Sequence, residues 1–151
     1  MSESLKTRVI RILFNYVPMF WSTGAKITYL ADDYKEMHLK LPLNWRTRNY
    51  VGTIFGGSMF SSTDVLYFLL VHKNLGEDYI VWDKASSIRF KKPGKGTLYT
   101  KAILTNEEIE IIKTELLNTD KIDRVYYLDL IDEAGDVCAS VEKTIHIQNK
   151  K

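Results

Sequence analysis

The chain has 151 residues, 45% apolar and 26% charged, with a net charge of +2; that suits one globular domain spanning residues 1–151 with a real hydrophobic core. Its basic residues are scattered rather than banked into a stripe, so no nucleic-acid partner is expected. The single cysteine, Cys138, excludes an intrachain disulfide framework and a multi-cysteine metal site, and points to a reducing, cytoplasmic compartment.

Residues 3–16 place Leu5, Val9, Ile12, Leu13 and Tyr16 at helical spacing, which predicts an amphipathic N-terminal helix within residues 1–18, ended by Pro18. Such a stripe packs on a sheet or a neighbouring subunit; with Lys6, Arg8 and Arg11 beside it, it also suits a helix that touches membrane. The same three cations interrupt the segment, and no small-residue cleavage site follows, so no secretory signal is expected. Residues 24–30 and 34–41 read as strands joined by Ala31-Asp32-Asp33. In the second, Met37, Leu39 and Leu41 alternate with Glu36, His38 and Lys40, so one face is wet and His38 looks outward. Residues 42–50 are irregular, with Trp45, Arg46 and Arg48 in a loop laid over the core; a structureless loop of that length is often functional.

The segment Asn49-Tyr50-Val51-Gly52-Thr53-Ile54-Phe55-Gly56-Gly57 leads into a run, Val65 to Val71, whose one polar group is the Tyr67 hydroxyl. A helix that is apolar all round is buried all round, and this one is too short for the about 20 residues of a membrane span. Residues 56–74 are therefore expected to form one central helix, stopped by Gly76. Asp64 is carried into that helix, where a buried carboxylate needs a partner or a task.

Strand signals follow at residues 79–81 and 87–90, then a turn at 92–96 and a strand over 97–105. Residues 106–117 fit a helix with Ile109, Ile112 and Leu116 on one side, capped from Asn106-Glu107-Glu108. A strand over 108–115 fits nearly as well, because glutamates and isoleucines alternate there. Residues 125–131 and 137–147 form a closing hairpin in which Cys138 is an inert buried thiol. The sum is an α+β fold, roughly six antiparallel strands around one long apolar helix.

This order, together with Asn49, Gly56-Gly57 and Asp64 at their spacing, resembles the hot-dog fold thioesterase superfamily. Within it the chain is most similar to the tetrameric acyl-CoA thioesterase-like proteins of unknown function, the DUF4442 type. Phe90-Lys91-Lys92-Pro93-Gly94 resembles the motif that ends a strand in those proteins, and the likeness covers residues 24–147. One position departs: where phenylacetyl-CoA-type thioesterases carry His before the glycine pair, this chain has Phe55. Phenylalanine neither hydrogen-bonds nor carries a proton, which argues against the dehydratases and hydratases of the same fold.

What the resemblance implies is hydrolysis of an acyl-CoA or acyl-carrier thioester by a homodimer or homotetramer; the alternative, for which Phe55 speaks, is a non-catalytic acyl-CoA- or lipid-binding hot-dog protein. It implies no metal and no cofactor beyond coenzyme A in the substrate. Asp64 would act as base or nucleophile. The first amides of a helix carry partial positive charge, and those of Gly56 and Gly57 would hold the oxyanion. Asn49 would position water or hold the loop. In a dimer Asp64 would face the partner's glycine turn. Phe55, Phe60, Ser61, Tyr67 and Phe68 would contact substrate, as would Tyr50, Trp45 and Trp82 if they line the acyl slot, and burial among Phe60, Tyr67 and Phe68 would raise the pKa of Asp64. Arg89, Lys91 and Lys92 would meet the coenzyme A phosphates. Read one at a time, the glycine pair also suits close helix–strand packing, and Asp64 an interface hydrogen bond; their joint spacing points to a site. His72 is expected at a helix end, and His146 joins no recognisable constellation.

Overall fold

Alternation decides the sheet. Met37, Leu39 and Leu41 are buried on one face of a strand while Glu36, His38 and Lys40 remain half-exposed, and the same period runs through the other central strands. The computed structural model describes residues 2–150. In chain order the elements are α1 Leu5–Phe14, α2 Pro18–Trp21, β1 Lys26–Leu30, β2 Glu36–Leu41, α3 Gly56–Ser62, α4 Asp64–Leu75, β3 Tyr79–Phe90, β4 Leu98–Ile103, α5 Asn106–Asn118, β5 Lys121–Ile131 and β6 Val137–Asn149. The six strands form one antiparallel sheet in the order β1-β2-β4-β5-β6-β3. It curls around α4, whose Leu66, Leu70 and Val71 are buried with the inward residues of the strands. This α+β arrangement is the hot-dog fold.

The central helix is not continuous. It breaks at Thr63, between α3 and α4. The cause is a run of hydroxyl residues that bond back to the preceding turn: Ser62 Oγ donates to the Met59 carbonyl at 3.2 Å and Thr63 Oγ1 to the Phe60 carbonyl at 2.8 Å. Such back-bonding competes with the helical ladder and bends it. The break makes Asp64 the first residue of α4 and turns its side chain out; it is 71% exposed, not buried as the run of apolar neighbours suggests.

The N-terminal helix forms, but it packs by the face opposite to the expected one. Ile10 and Phe14 lie against the core and Thr7 is buried, whereas Leu5, Val9, Ile12, Leu13 and Tyr16 are exposed. Polar anchors decide this orientation. Arg11 donates two hydrogen bonds to Glu3 at 2.6 and 3.0 Å, Glu3 in turn accepts from the Leu30 amide of β1 at 3.3 Å, and Asn15 pairs with both backbone groups of Ile27. Pro18 does not terminate that helix; it opens α2 at a first-turn position, where its missing N–H costs nothing.

Two other expectations resolve cleanly. Segments 79–81 and 87–90 belong to one edge strand, β3, whose register with β6 shifts between Asp83 and Ala85. Residues 106–118 are helix rather than strand: Thr105, one residue before the expected cap, accepts a hydrogen bond from the Glu108 amide at 3.1 Å. Ile109, Ile112 and Leu116 are buried while Ile111 is exposed, so the 3.6-residue period prevails over the two-residue one.

Candidate functional site

A lysine lies beneath the helix break. Lys143 sits on the inward phase of β6 between Val141 and Ile145 and is only 1% exposed. A buried ammonium persists only if paired, and Lys143 has three partners. Its Nζ donates to Asp64 Oδ1 at 3.0 Å and to the Asp64 carbonyl at 3.3 Å, and it stands 3.2 Å from Asp83 Oδ2. Asp83 comes from β3 at the register shift, the kind of irregularity that re-aims a side chain. Its pKa is pushed up to about 6, first by burial and then by its closeness to Asp64, against the pull of Lys143. Asp83 Oδ1 is buried and lacks a hydrogen-bond partner. Two carboxyl groups therefore share one cation, one of them open to solvent and the other protonating near neutrality.

Asp64 and Asp83 border a cavity of about 590 Å³, together with Met19, Phe20, Phe60 and Ser61. That is large enough for a small-molecule site. The glycine pair lines a different depression, of about 390 Å³, with Asn49, Met59, Phe90 and Lys91. Gly56 opens α3 and Asp64 opens α4, and they border different depressions. Within one chain the expected base and the expected oxyanion donors do not meet.

The glycines have a packing role. A methyl group on Gly56 would stand 2.8 Å from the ring of Phe90, and one on Gly57 would overlap the ring of Phe55. Asn49 holds its loop: Oδ1 accepts from the amides of Val51 and Thr53, and Nδ2 donates to Thr53 Oγ1. Tyr67 stacks on Tyr126 at 4.3 Å, Phe68 stacks on His72 at 5.7 Å, and neither borders the larger cavity. Burial raises the pKa of Tyr126, and its hydroxyl donates to Glu108, itself paired with Arg124. Trp45, Tyr50 and Trp82 are exposed rather than set in a slot. Lys92 is held by Asp132 and Asp136, which raise its pKa; Arg89 and Lys91 are exposed. Among the described residues no group of three His, Cys, Asp or Glu side chains is arranged to hold a metal.

Neither Asp83 nor Lys143 stands out by motif. A signal for the lysine existed: it falls on the apolar phase of Val141-Glu142-Lys143-Thr144-Ile145, where a charge must be paired.

The model of the DUF4442 family, a domain of unknown function, matches residues 6–147. The chain belongs to the DUF4442 family. No curated protein matches it. Its fold is that of a Pseudomonas aeruginosa protein reported as of unknown function and a probable thioesterase (TM-score 0.85, 22% identity, 98% of this chain and 99% of that one). A Chlorobaculum tepidum protein of unknown function (TM-score 0.74, 13% identity, 96% and 95%) and a Haemophilus influenzae thioesterase (TM-score 0.70, 15% identity, 99% and 93%) share it. This DUF4442 protein thus has the hot-dog fold. Among its described residues no helix is long and apolar enough to cross a membrane.

Proposed function

We propose that this DUF4442 protein hydrolyses an acyl thioester, of coenzyme A or of an acyl carrier, with Asp64 as the base. The supporting observation is the Asp64 carboxylate itself, held by a buried Lys143 at the lip of a 590 Å³ cavity. The thioesterase named among its structural relatives agrees with this chemistry. In the step proposed, a water gives its proton to Asp64 as its oxygen attacks the thioester carbon. The carbonyl electron pair moves to oxygen, and collapse expels the thiolate, which takes the proton back from Asp64. Helix-terminal amides at Gly56 and Gly57 suit the oxyanion, and a second copy of the chain would bring them opposite Asp64. Arg89 and Lys91 remain for the coenzyme A phosphates, since Lys92 is already paired.

Free-thiol release from short, aryl and long acyl-CoAs tests the reading. Asp64→Asn should lower kcat by about 100-fold or more, the usual yield of a positioned acid–base group, and leave acyl-CoA binding intact. Full activity in that variant rejects Asp64 as the base. A second reading, acyl-CoA binding without turnover, is favoured by Phe55, whose ring lies against Gly57 at the position where the resemblance to phenylacetyl-CoA-type thioesterases implies a histidine. Saturable binding with no thiol release from any substrate would establish it.

A further inference from the structure

Helix α1 presents the wrong face to water. At 100° per residue, Leu5, Val9, Ile12, Leu13 and Tyr16 form one stripe, and the opposite side carries Thr7, Arg11 and Phe14. That side is the one fixed to the protein: Ile10 and Phe14 pack on the core, Asn15 pairs with Ile27, and Glu3, which holds Arg11, accepts from the Leu30 amide at 3.3 Å. The apolar side is left bare: Leu5 is 79% exposed, Leu13 65% and Tyr16 73%. Val17, Met19 and Trp21 of the adjoining α2 segment extend this surface. A contiguous apolar face of this kind marks a surface that something else covers.

Charge identifies the occupant. Lys6 and Arg8 lie on the two flanks of the stripe, about 80° to either side of its centre by the same helical geometry. Arg46 stacks over the Trp21 ring at 4.4 Å, and Lys26 is exposed on β1. Among the described residues none of these four cations has an ion-pair partner. The only acid in residues 2–31 is Glu3, already bound to Arg11. A second copy docking by the same patch would set these cations against themselves, with no unpaired carboxylate in residues 2–31 to receive them. An apolar stripe edged with cations and with Tyr and Trp suits the boundary of an anionic bilayer, where rings and aliphatic chains enter the headgroup region and ammonium and guanidinium groups meet phosphates.

We propose that the α1–α2 face docks this protein on an anionic lipid surface, Leu5, Ile12, Leu13 and Tyr16 entering the headgroup layer and Lys6, Arg8, Lys26 and Arg46 pairing with lipid phosphates. At ten residues α1 lies in the interface and does not span it. Met19 belongs both to this face and to the wall of the cavity that holds Asp64, so docking sets the cavity mouth beside the lipid.

Co-sedimentation of the full chain with vesicles tests this, using phosphatidylcholine alone and phosphatidylcholine mixed with phosphatidylglycerol. The expected result is binding to the mixed vesicles, weakened by salt. Lys6→Gln with Arg8→Gln should weaken it about 30-fold, at about 1 kcal/mol per basic residue. Leu5→Gln with Leu13→Gln should weaken it at least 10-fold; all four side chains are exposed, so the fold should persist by circular dichroism. Absence of binding to mixed vesicles, equal binding to both vesicle kinds, or indifference to either pair of substitutions overturns the proposal. A wild-type oligomer that ignores vesicles and dissociates with Leu5→Gln and Leu13→Gln overturns it in favour of a second copy.

Discussion

Asp83, in the wall of the cavity, is a residue whose titration the fold changes. In the unfolded chain its carboxyl has an ordinary value near 3.8; in the fold it titrates near 6, because burial disfavours the charged form. The folded state then holds the proton more tightly than the unfolded one, so this group favours folding below about pH 4 and loses that contribution as pH rises to about 6. Comparing wild type with Asp83→Asn by urea unfolding at several pH values isolates it. The stability of wild type relative to the variant should fall between pH 4 and 6, by on the order of 2 kcal/mol given the partial exposure of the group, and stay level above. A difference that does not change with pH would mean that Asp83 titrates normally. The same residue shows how a site can be hidden: no motif marks Asp83 or Lys143, and their meeting depends on strands 60 positions apart in the chain coming side by side.

At the scale of elements, local chemistry decides where neighbouring patterns tie. Residues 108–115 suit either a strand or a helix, and the Thr105 cap with buried Ile109, Ile112 and Leu116 settles them as α5. Thr105→Ala removes the acceptor for the Glu108 amide and should cost about 1 kcal/mol. That shifts the urea midpoint down and the Tm by about 2–4 °C for a chain of this size. An unchanged midpoint would show that the Glu108–Arg124 ion pair suffices to hold the first turn. The break at Thr63 is the converse case. Three successive hydroxyl residues interrupt an apolar run that by periodicity alone continues, and the consequence is an outward Asp64 in place of a buried one.

Among the described residues one long strand edge is unpaired. β3 ends the sheet, and its residues 84–87 are exposed and small apart from Lys84. Such an edge is a template for pairing with another chain, and it runs beside the cavity that holds Asp64. If two copies complete the proposed site, Ser87→Lys on this edge should convert dimer to monomer in sedimentation velocity and abolish thioester turnover together with it. A fully active monomer would place the whole reaction within one chain. Met19 of the α1–α2 face and Lys84, Ala85 and Ser86 of β3 line the same cavity, so vesicle docking and pairing through β3 meet at its rim.

By itself the sequence determined the periodic features. The alternation of β2, the closing hairpin of β5 and β6, the apolar run of α4, the buried Cys138 and the Asn49, Gly56-Gly57 and Asp64 spacing all follow from local order, and with them the fold and the family. Local order cannot say which face of a helix meets the protein, because a stripe of leucines is equally a core face and a docking face. For α1 the bonds of Glu3 to Leu30 and of Asn15 to Ile27, with Ile10 and Phe14 packed on the core, made that choice and left the leucines outside. Nor can it pair charges distant in the chain. Lys143, Asp83 and Asp64 acquire their meaning only when the curled sheet removes water from the lysine and leaves two carboxyl groups as its partners.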